Sequence, residues 1–374
     1  MMLKAQPVAK IERRTTSRPS AGPAERMRLA EDAAGAQRWK LWGPYLSERQ
    51  WGTVREDYSP YGNAWEYFSH DQARSRAYRW GEDGIAGISD ASQRLCLALA
   101  LWNGKDPILK ERLFGLTNGE GNHSEDVKEL YYYLDATPTH SYLKFLYKYP
   151  QREFPYAWLV EENRRRGKDQ PEFELIDTGT FDDDRYFDVF VEYAKAAPED
   201  VLMRVTAHNR GPEAATIHLL PQVWFRNTWS WRENASRPEI SVASDGSVSA
   251  RLKRLGDYHL YAEGEPELLF TDNDSNQKRL FGVDGGAGHF KDAFHDYVIK
   301  GARAAVNSQR VGTKAAAHYR LEVDAGGSVQ IRLRLRKGAM SSPLDDFETI
   351  FAQRMAEADE FFGELQDGND DADA

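Results

Sequence analysis

The sequence predicts a mainly β protein, built as a large antiparallel β-sandwich. Apolar and polar residues alternate over residues 187–193, which is the side-chain period of a half-buried strand. Residues 201–207 and 216–225 continue this pattern, and the clusters 197–200 and 209–212 between them favour turns. We therefore predict an antiparallel meander of three strands. Each strand buries one face, so a second sheet is required to cover the meander.

Length and composition allow one large domain or two and argue against several classes of partner. With 374 residues, 41% of them hydrophobic, the chain can bury a substantial core. The net charge of -10 argues against a nucleic-acid partner, because phosphate binding requires a basic surface. No run approaches the ~18 apolar residues of a membrane span, so we expect no membrane partner and interpret the protein as cytoplasmic. The single cysteine, Cys96, lies among leucines and is interpreted as a small core residue.

The amino-terminal part of the chain divides into three segments. Residues 1–23 are basic and rich in Ser, Thr, Pro and Ala, which predicts a disordered leader. Residues 24–39 are rich in Ala, Glu and Arg and are predicted to be helical. From residue 42 to residue 80, aromatic residues are interleaved with charges and turn formers, so we predict an aromatic extension of ordered loops. Sugars stack on aromatic rings, so these rings either face a sugar-binding cleft or cover the sandwich, and the sequence leaves both interpretations open.

The segment that follows carries the strongest hairpin signal in the chain. Leucines alternate over residues 94–101 and predict a strand, with a helix over residues 92–101 as the competing interpretation. The dipeptide Asn103-Gly104 predicts a tight turn, with a return strand over residues 108–116.

Shorter strands are predicted after the central meander and are assigned to the second sheet. They cover residues 238–242, 247–253, 258–263 and 267–270. Residues 271–304 form a longer polar excursion, after which alternation returns over residues 318–323 and 328–335.

No metal or other cofactor is expected from the sequence. The Cys and His residues lack the spacing of a zinc site. The three aspartates at residues 182–184 lack the spaced oxygen ligands of a calcium loop and are interpreted as a solvated turn. The Gly-rich segment 118–126 carries three carboxylates and lacks the Lys-Ser/Thr ending of a phosphate loop, so phosphate binding is disfavoured.

The last predicted element is a helix with a wide apolar stripe. Ser342 and Pro343 are typical of a helix start, and the stripe continues from Phe347 through Leu365. An apolar helix face without a partner tends to associate, so we expect this stripe to be an exposed docking surface. Residues 367–374 are predicted to be an acidic tail.

Several long strings carry a resemblance to a known family. The segment LLPQVWFRNTWSW, preceded by DRYFDVFVEYAKA, resembles the amino-terminal β-domain of bacterial proteins related to glycoside hydrolase family 63, the mannosyl-oligosaccharide glucosidase family. The similarity includes YRWGEDGIAGISD and GNHSEDVKELYYYLDATPTHSY and covers roughly residues 24–365.

The resemblance implies a domain organisation and a reaction. Residues 24–341 correspond to a galactose-mutarotase-like supersandwich, and residues 342–366 to a linker helix that leads to a toroid of paired α-helices. That toroid carries the carboxylates of an inverting α-glucosidase, so no catalytic residue can be carried over onto this chain. The implied partners are an oligosaccharide and the toroid, in the same chain or on a separate one.

The third predicted strand leads into the loop 226–231, which is rich in aromatic and polar residues, and such a loop at the end of a sheet is typical of a carbohydrate contact. An indole offers a large contact area with little loss of rotamer freedom, and a guanidinium adds planar hydrogen bonding. The candidates for substrate binding are Trp42, Trp51, Trp80, Arg226, Trp229 and Trp231.

Two alternatives to the noncatalytic role stay open. Inverting hydrolysis requires two carboxyl groups about 6.5–9.5 Å apart, and within the chain the candidates are Glu82 with Asp83, or Glu120 with Glu125 and Asp126. A histidine and an acid in the cleft could also open a sugar ring, as in aldose epimerases, whose fold resembles the family's β-domain. A free-standing carbohydrate-binding protein is the third interpretation.

Overall fold

The computed structural model describes residues 23–46, 69–79, 84–116, 126–231 and 235–366, and confirms the mainly β class. Two large antiparallel sheets pack face to face. The six-stranded sheet contains, in spatial order, β1 (Trp42–Gly43), β2 (Ile85–Asp90), β3 (Leu95–Trp102), β10 (Ala215–Phe225), β16 (Lys314–Val323) and β14 (Glu267–Thr271).

The second sheet has nine strands. In spatial order they are β15 (Val311–Gly312), β11 (Glu239–Val242), β12 (Val248–Leu252), β13 (Gly256–Ala262), β17 (Ser328–Lys337), β9 (Asp200–Asn209), β8 (Tyr186–Ala197), β7 (Tyr142–Pro150) and β6 (Tyr131–Ala136). The short strands β4 (Gly115–Leu116) and β5 (Asp126–Val127) pair with each other.

Helices lie outside the two sheets. They are α1 (Ala24–Ala33), α2 (His70–Ala73), α3 (Tyr156–Arg165), α4 (Gln277–Phe281), α5 (Ala293–Lys300) and α6 (Phe347–Gln366). Among the described residues, no helix combines the length and the apolar character that a membrane crossing requires.

The core lies between the inner faces of the two sheets and follows from the alternation read in the sequence. Leu97 and Leu99 of β3 belong to the same core cluster as Val189 and Val191 of β8, and all four are completely buried. A strand places every second side chain on one face, so two alternating sheets bury a continuous apolar layer. The strand interpretation of residues 94–101 is therefore confirmed. Cys96, on the other face of β3, is buried as predicted for a small core residue.

The predicted meander is wrong for its third strand. β8 and β9 pair as expected, but the other edge of β9 pairs with β17, so no edge of β9 remains for β10. The chain crosses to the six-stranded sheet, where β10 pairs with β3 and β16. Asn209 fixes the crossing, since its Nδ2 donates to the carbonyls of Glu213 (2.7 Å) and Val323 (2.9 Å).

The return strand predicted after Asn103-Gly104 is also wrong. One edge of β3 is paired along its length with β10, and β2 occupies the other edge up to Leu99, so little of that edge is left for residues 108–116. Only a single bridge joins Leu101 to Lys110. The turn itself is present, and Gly104 adopts a φ of 79°, which glycine tolerates.

The later strands match their predictions more closely. β11, β12, β13, β16 and β17 lie where alternation placed them. The assignment of the shorter strands to a second sheet that covers the meander is wrong for β11, β12 and β13, which join the nine-stranded sheet of β8 and β9 through β17. Of the four shorter strands, β14 lies in the opposite, six-stranded sheet, where it pairs with β16.

The apolar stripe of the last helix is buried from Phe347 to Phe361, contrary to the expectation of an exposed docking surface, and only its end at Leu365 is exposed. Phe347 and Phe351 are 0% and 1% exposed, and they pack against Tyr142, Ala194 and Leu202 on the outer face of the nine-stranded sheet. The helix starts at Phe347 rather than at Ser342. Arg334 accounts for the later start, because its guanidinium donates to the Pro343 carbonyl (3.0 Å) and the Asp346 carboxylate (2.6 Å).

Helix α1 is fixed beside α6 by a buried polar network. The carboxylate of Glu25 accepts hydrogen bonds from the backbone N–H and hydroxyl of Thr139, both at 2.6 Å, and from Ser141 (2.7 Å). Arg28 bonds to both Glu25 and Glu357 of α6. Because every charged group here has an opposite partner, the network can stay buried between helix and sheet.

Lys195 lies beneath this network and is 2% exposed. Its ammonium donates to the backbone carbonyls of Trp39 (2.6 Å) and Thr139 (3.0 Å), and to that of Trp42. Burial lowers the pKa of Lys195 to about 7, against an ordinary value of 10.5.

This shift predicts a stability that depends on pH. Between pH 7 and 10.5 the unfolded chain binds a proton at Lys195 that the folded chain has lost, so the free energy of unfolding rises with pH. From pH 7 to pH 9 the contribution is on the order of 2 kcal/mol, since one pKa unit corresponds to about 1.4 kcal/mol. Urea unfolding of the wild type and Lys195→Met at pH 7, 8 and 9 measures it. Equal slopes for the two proteins would contradict the prediction.

Candidate functional site

The loop that follows β10 forms a corner held by two buried asparagines. Asn273 accepts a hydrogen bond from the Tyr78 N–H (2.7 Å) and donates to the carbonyls of Tyr78 (2.9 Å) and Phe225 (2.8 Å). Asn227 donates to the Asn273 carbonyl (2.7 Å) and to Asp274 (2.9 Å). We refer to residues 226–231, Arg237 and residues 272–274 as the β10 corner. Its backbone is tied at several points, so the side chains it presents are held in place.

The outer part of the β10 corner combines an indole with an ion-paired cluster. Arg237 Nη2 lies 2.7 Å from Asp272 Oδ1 and 2.6 Å from Asp274 Oδ2, and its guanidinium lies 5.4 Å from the ring centre of Trp229. The Trp229 indole N–H donates to Asp274 (3.1 Å). Burial alone would lower the pKa of Arg237, but Asp274 and Asp272 outweigh it and raise the pKa. The guanidinium therefore keeps its charge.

The predicted sugar-contacting residues have different environments. Trp231 is 45% exposed and Trp229 is half-buried, so both reach the surface of the β10 corner. Arg226 is half-buried beside them, and its Nε has no hydrogen-bond partner among the residues that the structure describes. Trp51 and Trp80 lie outside the described residues.

Trp42 was wrongly predicted to contact a ligand. Its side chain is completely buried between the sheets, where its indole N–H donates to the hydroxyl of Tyr258 (3.3 Å) and the two rings lie 5.4 Å apart. Of the two interpretations of the aromatic extension, Trp42 therefore belongs to the packed interior.

The candidate catalytic pairs cannot be assembled from the described residues. Outside them lie four of the five acids, Glu82, Asp83, Glu120 and Glu125. Asp126 is described only through its backbone, which pairs with Leu116 in β4. The noncatalytic interpretation and its enzymatic alternatives are therefore still predictions.

A buried polar cluster beneath the β10 corner was missed in the sequence. Tyr78 OH lies 2.6 Å and Lys314 Nζ 3.1 Å from the same carboxylate oxygen of Glu111, and Lys291 Nζ lies 3.7 Å from the ring centre of Tyr78. These four side chains are at most 1% exposed. Burial would raise the pKa of Glu111, but Lys314 and Lys291 outweigh it and lower the pKa.

The buried polar cluster holds the segment 69–79 against the outer face of the six-stranded sheet. Tyr78 stacks on Trp224 of β10 with ring centres 4.5 Å apart, and its hydroxyl donates to Glu111, which pairs with Lys314 of β16. Through these contacts Tyr78 anchors the segment 69–79 to the sheet. Lys314 begins a run of three alanines in β16, and a lysine in such an apolar strand is the signal that sequence reasoning could have used.

The accessible groups of the β10 corner are an indole face, two carboxylates and a guanidinium. Carboxylates accept hydrogen bonds from hydroxyls, a guanidinium donates to them, and an indole packs on an apolar ring face. Among the described residues, no three His, Cys, Asp or Glu side chains are arranged to hold a metal ion. The geometry thus suits binding of a polyhydroxylated ligand.

Comparisons with known proteins give one informative match. No family model matches the sequence. The chain is similar to Uncharacterized protein YMR196W of Saccharomyces cerevisiae, with 41% identity over an alignment 385 residues long. The alignment covers 90% of this chain and 35% of the yeast protein. The chain thus spans about a third of the length of the curated relative it matches.

Proposed function

We propose that this chain forms the noncatalytic β-domain of a glucosidase-like glycoside hydrolase related to family 63, that it supports a helical catalytic toroid, and that it lines one side of the sugar cleft. The strings quoted above, which resemble that family over roughly residues 24–365, support the assignment. The match to part of a much longer yeast protein is compatible with a role as one domain among several. A cytoplasmic location is part of the same proposal.

The observation that carries the proposal is the exposed indole of Trp231 beside Trp229 and its ion-paired neighbours. A sugar ring has an apolar C–H face, which packs on an indole, and an edge of hydroxyls, which require polar partners. Arg237, Asp272 and Asp274 are each partly exposed and supply both donors and acceptors.

Rigidity of the β10 corner adds to the case. The side chains of Asn227 and Asn273 are 1% and 0% exposed, and together they fix the loop to β10 and to the Tyr78 segment. Binding to a site that is already ordered loses less conformational entropy, so a modest number of contacts is enough for affinity.

Truncation of the exposed indole is the direct test. In Trp231→Ala we expect the apparent Kd for a soluble α-glucan to rise about tenfold, which corresponds to about 1.4 kcal/mol, because the stacking surface is lost. Affinity electrophoresis in gels that contain increasing amounts of starch measures this Kd. Tyr132→Ala is the matched control, since Tyr132 is also 45% exposed but lies at the edge of the nine-stranded sheet.

Two results would contradict the proposal. If starch in the gel retarded Trp231→Ala as much as the wild type, the β10 corner would not be a sugar-binding site. Turnover of an α-glucoside by the purified chain alone, lost in Glu82→Gln or Glu125→Gln, would show a self-sufficient enzyme instead of a noncatalytic domain.

A further inference from the structure

The carboxylate of Asp274 contacts three residues of the β10 corner that are distant from it in sequence. Its Oδ1 accepts hydrogen bonds from Asn227 Nδ2 (2.9 Å) and from the Trp229 indole N–H (3.1 Å). Its Oδ2 lies 2.6 Å from Arg237 Nη2. Asn227 precedes the two indoles of the loop, and Arg237 follows them. One carboxylate therefore holds both ends of the segment that carries Trp229 and Trp231.

The backbone of Asp274 is itself attached to the interior of the protein. Its carbonyl accepts from the Lys291 N–H (3.0 Å), and Lys291 is completely buried, with its ammonium donating to the Ala73 carbonyl (3.0 Å). The preceding residue, Asn273, is also completely buried and donates to the Phe225 carbonyl of β10 (2.8 Å). The core therefore fixes the point from which the Asp274 side chain extends.

The orientation of the Trp229 ring depends on three contacts. The ring packs against the apolar core between the sheets, its N–H donates to Asp274, and the guanidinium of Arg237 lies 5.4 Å from its centre. Apolar packing is non-directional, whereas a hydrogen bond weakens steeply as its angle departs from linear. Asp274 contributes to two of the three contacts, because it also pairs with Arg237. The plane of the Trp229 ring therefore depends mainly on Asp274.

Trp231 is coupled to Trp229 through the backbone. The two residues are the ends of one short 3-10 turn, Trp229–Trp231. The Ser230 N–H donates to Asn227 Oδ1 (3.2 Å), so the turn is attached to the same asparagine that bonds to Asp274. A helix of three residues is too short to be stable by itself, so side-chain contacts determine where the turn lies. A change at Asp274 should therefore displace both indoles.

Asp272 has different contacts in the same corner. Its carboxylate lies 2.7 Å from Arg237 Nη2 and accepts from the Thr313 hydroxyl (3.4 Å). The side chains of Asp272 and Asp274 carry the same charge and are 29% and 28% exposed. Within the part of the chain that the structure describes, Asp274 is the one of the two acids that bonds to an indole. The two acids therefore differ in their contacts and not in charge or exposure.

We propose that Asp274 is a positioning residue of the β10 corner, which holds the indoles of Trp229 and Trp231 in the arrangement that a sugar meets. The consequence for sugar binding rests on the function proposed above, whereas the effect on the two indoles concerns the chain without a ligand. A site that is ordered before binding loses less conformational entropy, so removal of the Asp274 carboxylate weakens binding through the indoles.

Fluorine NMR of the whole chain labelled with fluorotryptophan tests the positioning in the absence of sugar. The resonances of Trp229 and Trp231 are assigned from Trp229→Phe and Trp231→Phe. We expect Asp274→Leu to shift or broaden both resonances, Asp274→Asn to leave them close to those of the wild type, and Asp272→Asn to leave them in place. Asparagine keeps an oxygen that accepts from Asn227 and Trp229, so it restores the positioning without the charge. The other eight of the ten tryptophans report whether each variant is folded.

Affinity electrophoresis in starch gels measures the consequence for sugar binding. We expect the apparent Kd for a soluble α-glucan to rise about fivefold in Asp274→Leu, and Asp274→Asn to recover most of the lost affinity. Trp229→Phe removes the indole N–H, so Asp274→Leu should weaken binding less in that background than in the wild type. Residues that act through each other are non-additive in this way, whereas independent effects would multiply.

The outcomes separate this proposal from the function proposed above. Unchanged indole resonances in Asp274→Leu overturn the positioning, even if that variant binds sugar more weakly, and so does an equal change of the resonances in Asp272→Asn. If Asp274→Leu does not fold, Trp229→Phe decides, because an unmoved Trp231 resonance in that variant also overturns the proposal. If both resonances respond as expected and the wild type binds no α-glucan, the positioning stands and the proposed function fails.

Discussion

Replacement of Lys314 by methionine is expected to lower the free energy of unfolding by about 3–5 kcal/mol, because it leaves a carboxylate without its closest cation inside the protein. Lys314 Nζ lies 3.1 Å from Glu111 Oε2, and the two side chains are 0% and 1% exposed. In Lys314→Met, Glu111 keeps the hydrogen bond from Tyr78 but loses the ammonium that most favours its charge. Urea unfolding followed by circular dichroism measures the loss.

The double variant shows whether the loss arises from the unpaired charge. Glu111→Leu combined with Lys314→Met removes both charges and their desolvation, so we expect most of the stability to return. Lys300→Met is the control, because Lys300 pairs with Asp296 at an exposed position and should change stability by less than about 1 kcal/mol. A double variant as unstable as the sum of the single variants would contradict this explanation.

Replacement of Phe351 by alanine is expected to lower the free energy of unfolding by about 3–5 kcal/mol, because it opens a cavity beneath α6. Phe351 is 1% exposed, stacks on Phe347 with ring centres 4.8 Å apart, and lies 4.4 Å from the guanidinium of Arg204. The change therefore removes apolar contacts and also a cation–π contact to the sheet. Urea unfolding again gives the loss.

The same helix provides the matched control. Leu365 is 61% exposed, so Leu365→Ala should change the free energy of unfolding by no more than about 0.5 kcal/mol. If Phe351→Ala were equally mild, α6 would not be docked on the sheet in solution. The original expectation of an exposed stripe would then regain support.

The buried position of α6 changes what the proposed domain organisation requires. Phe347, Phe351 and Ala358 of its apolar stripe are already covered by the nine-stranded sheet, so these residues cannot also contact a helical toroid. In the proposed arrangement, α6 stays packed on the nine-stranded sheet, and the chain continues from its end towards the catalytic part. Contacts with the catalytic part would involve other surfaces. The β10 corner is the candidate among them, because it is the proposed sugar-binding site.

The candidate site was predictable only in part. The sequence led to Trp229 and Trp231 because aromatic and polar residues follow directly after a strand, and these two side chains do reach the surface. The same reasoning failed for Trp42, since an indole in a loop-like segment and an indole at an inward position of a short strand look alike in sequence. The partners of Trp229 lie in residues 237–274, and no local pattern identifies them.

The sequence by itself determined where most of the long strands and the long apolar helix lie, because side-chain period is a local property of the chain, although it also predicted a strand over residues 108–116 that does not form. The tertiary structure decided which sheet receives β10, what covers α6, and that Glu111 meets a lysine 203 residues away. A strand with alternating residues can bury its apolar face in either sheet, and an apolar helix stripe can be buried against any apolar surface. Only the pairing and packing of distant segments selects one of these solutions, and that selection sets the surface on which a ligand can bind.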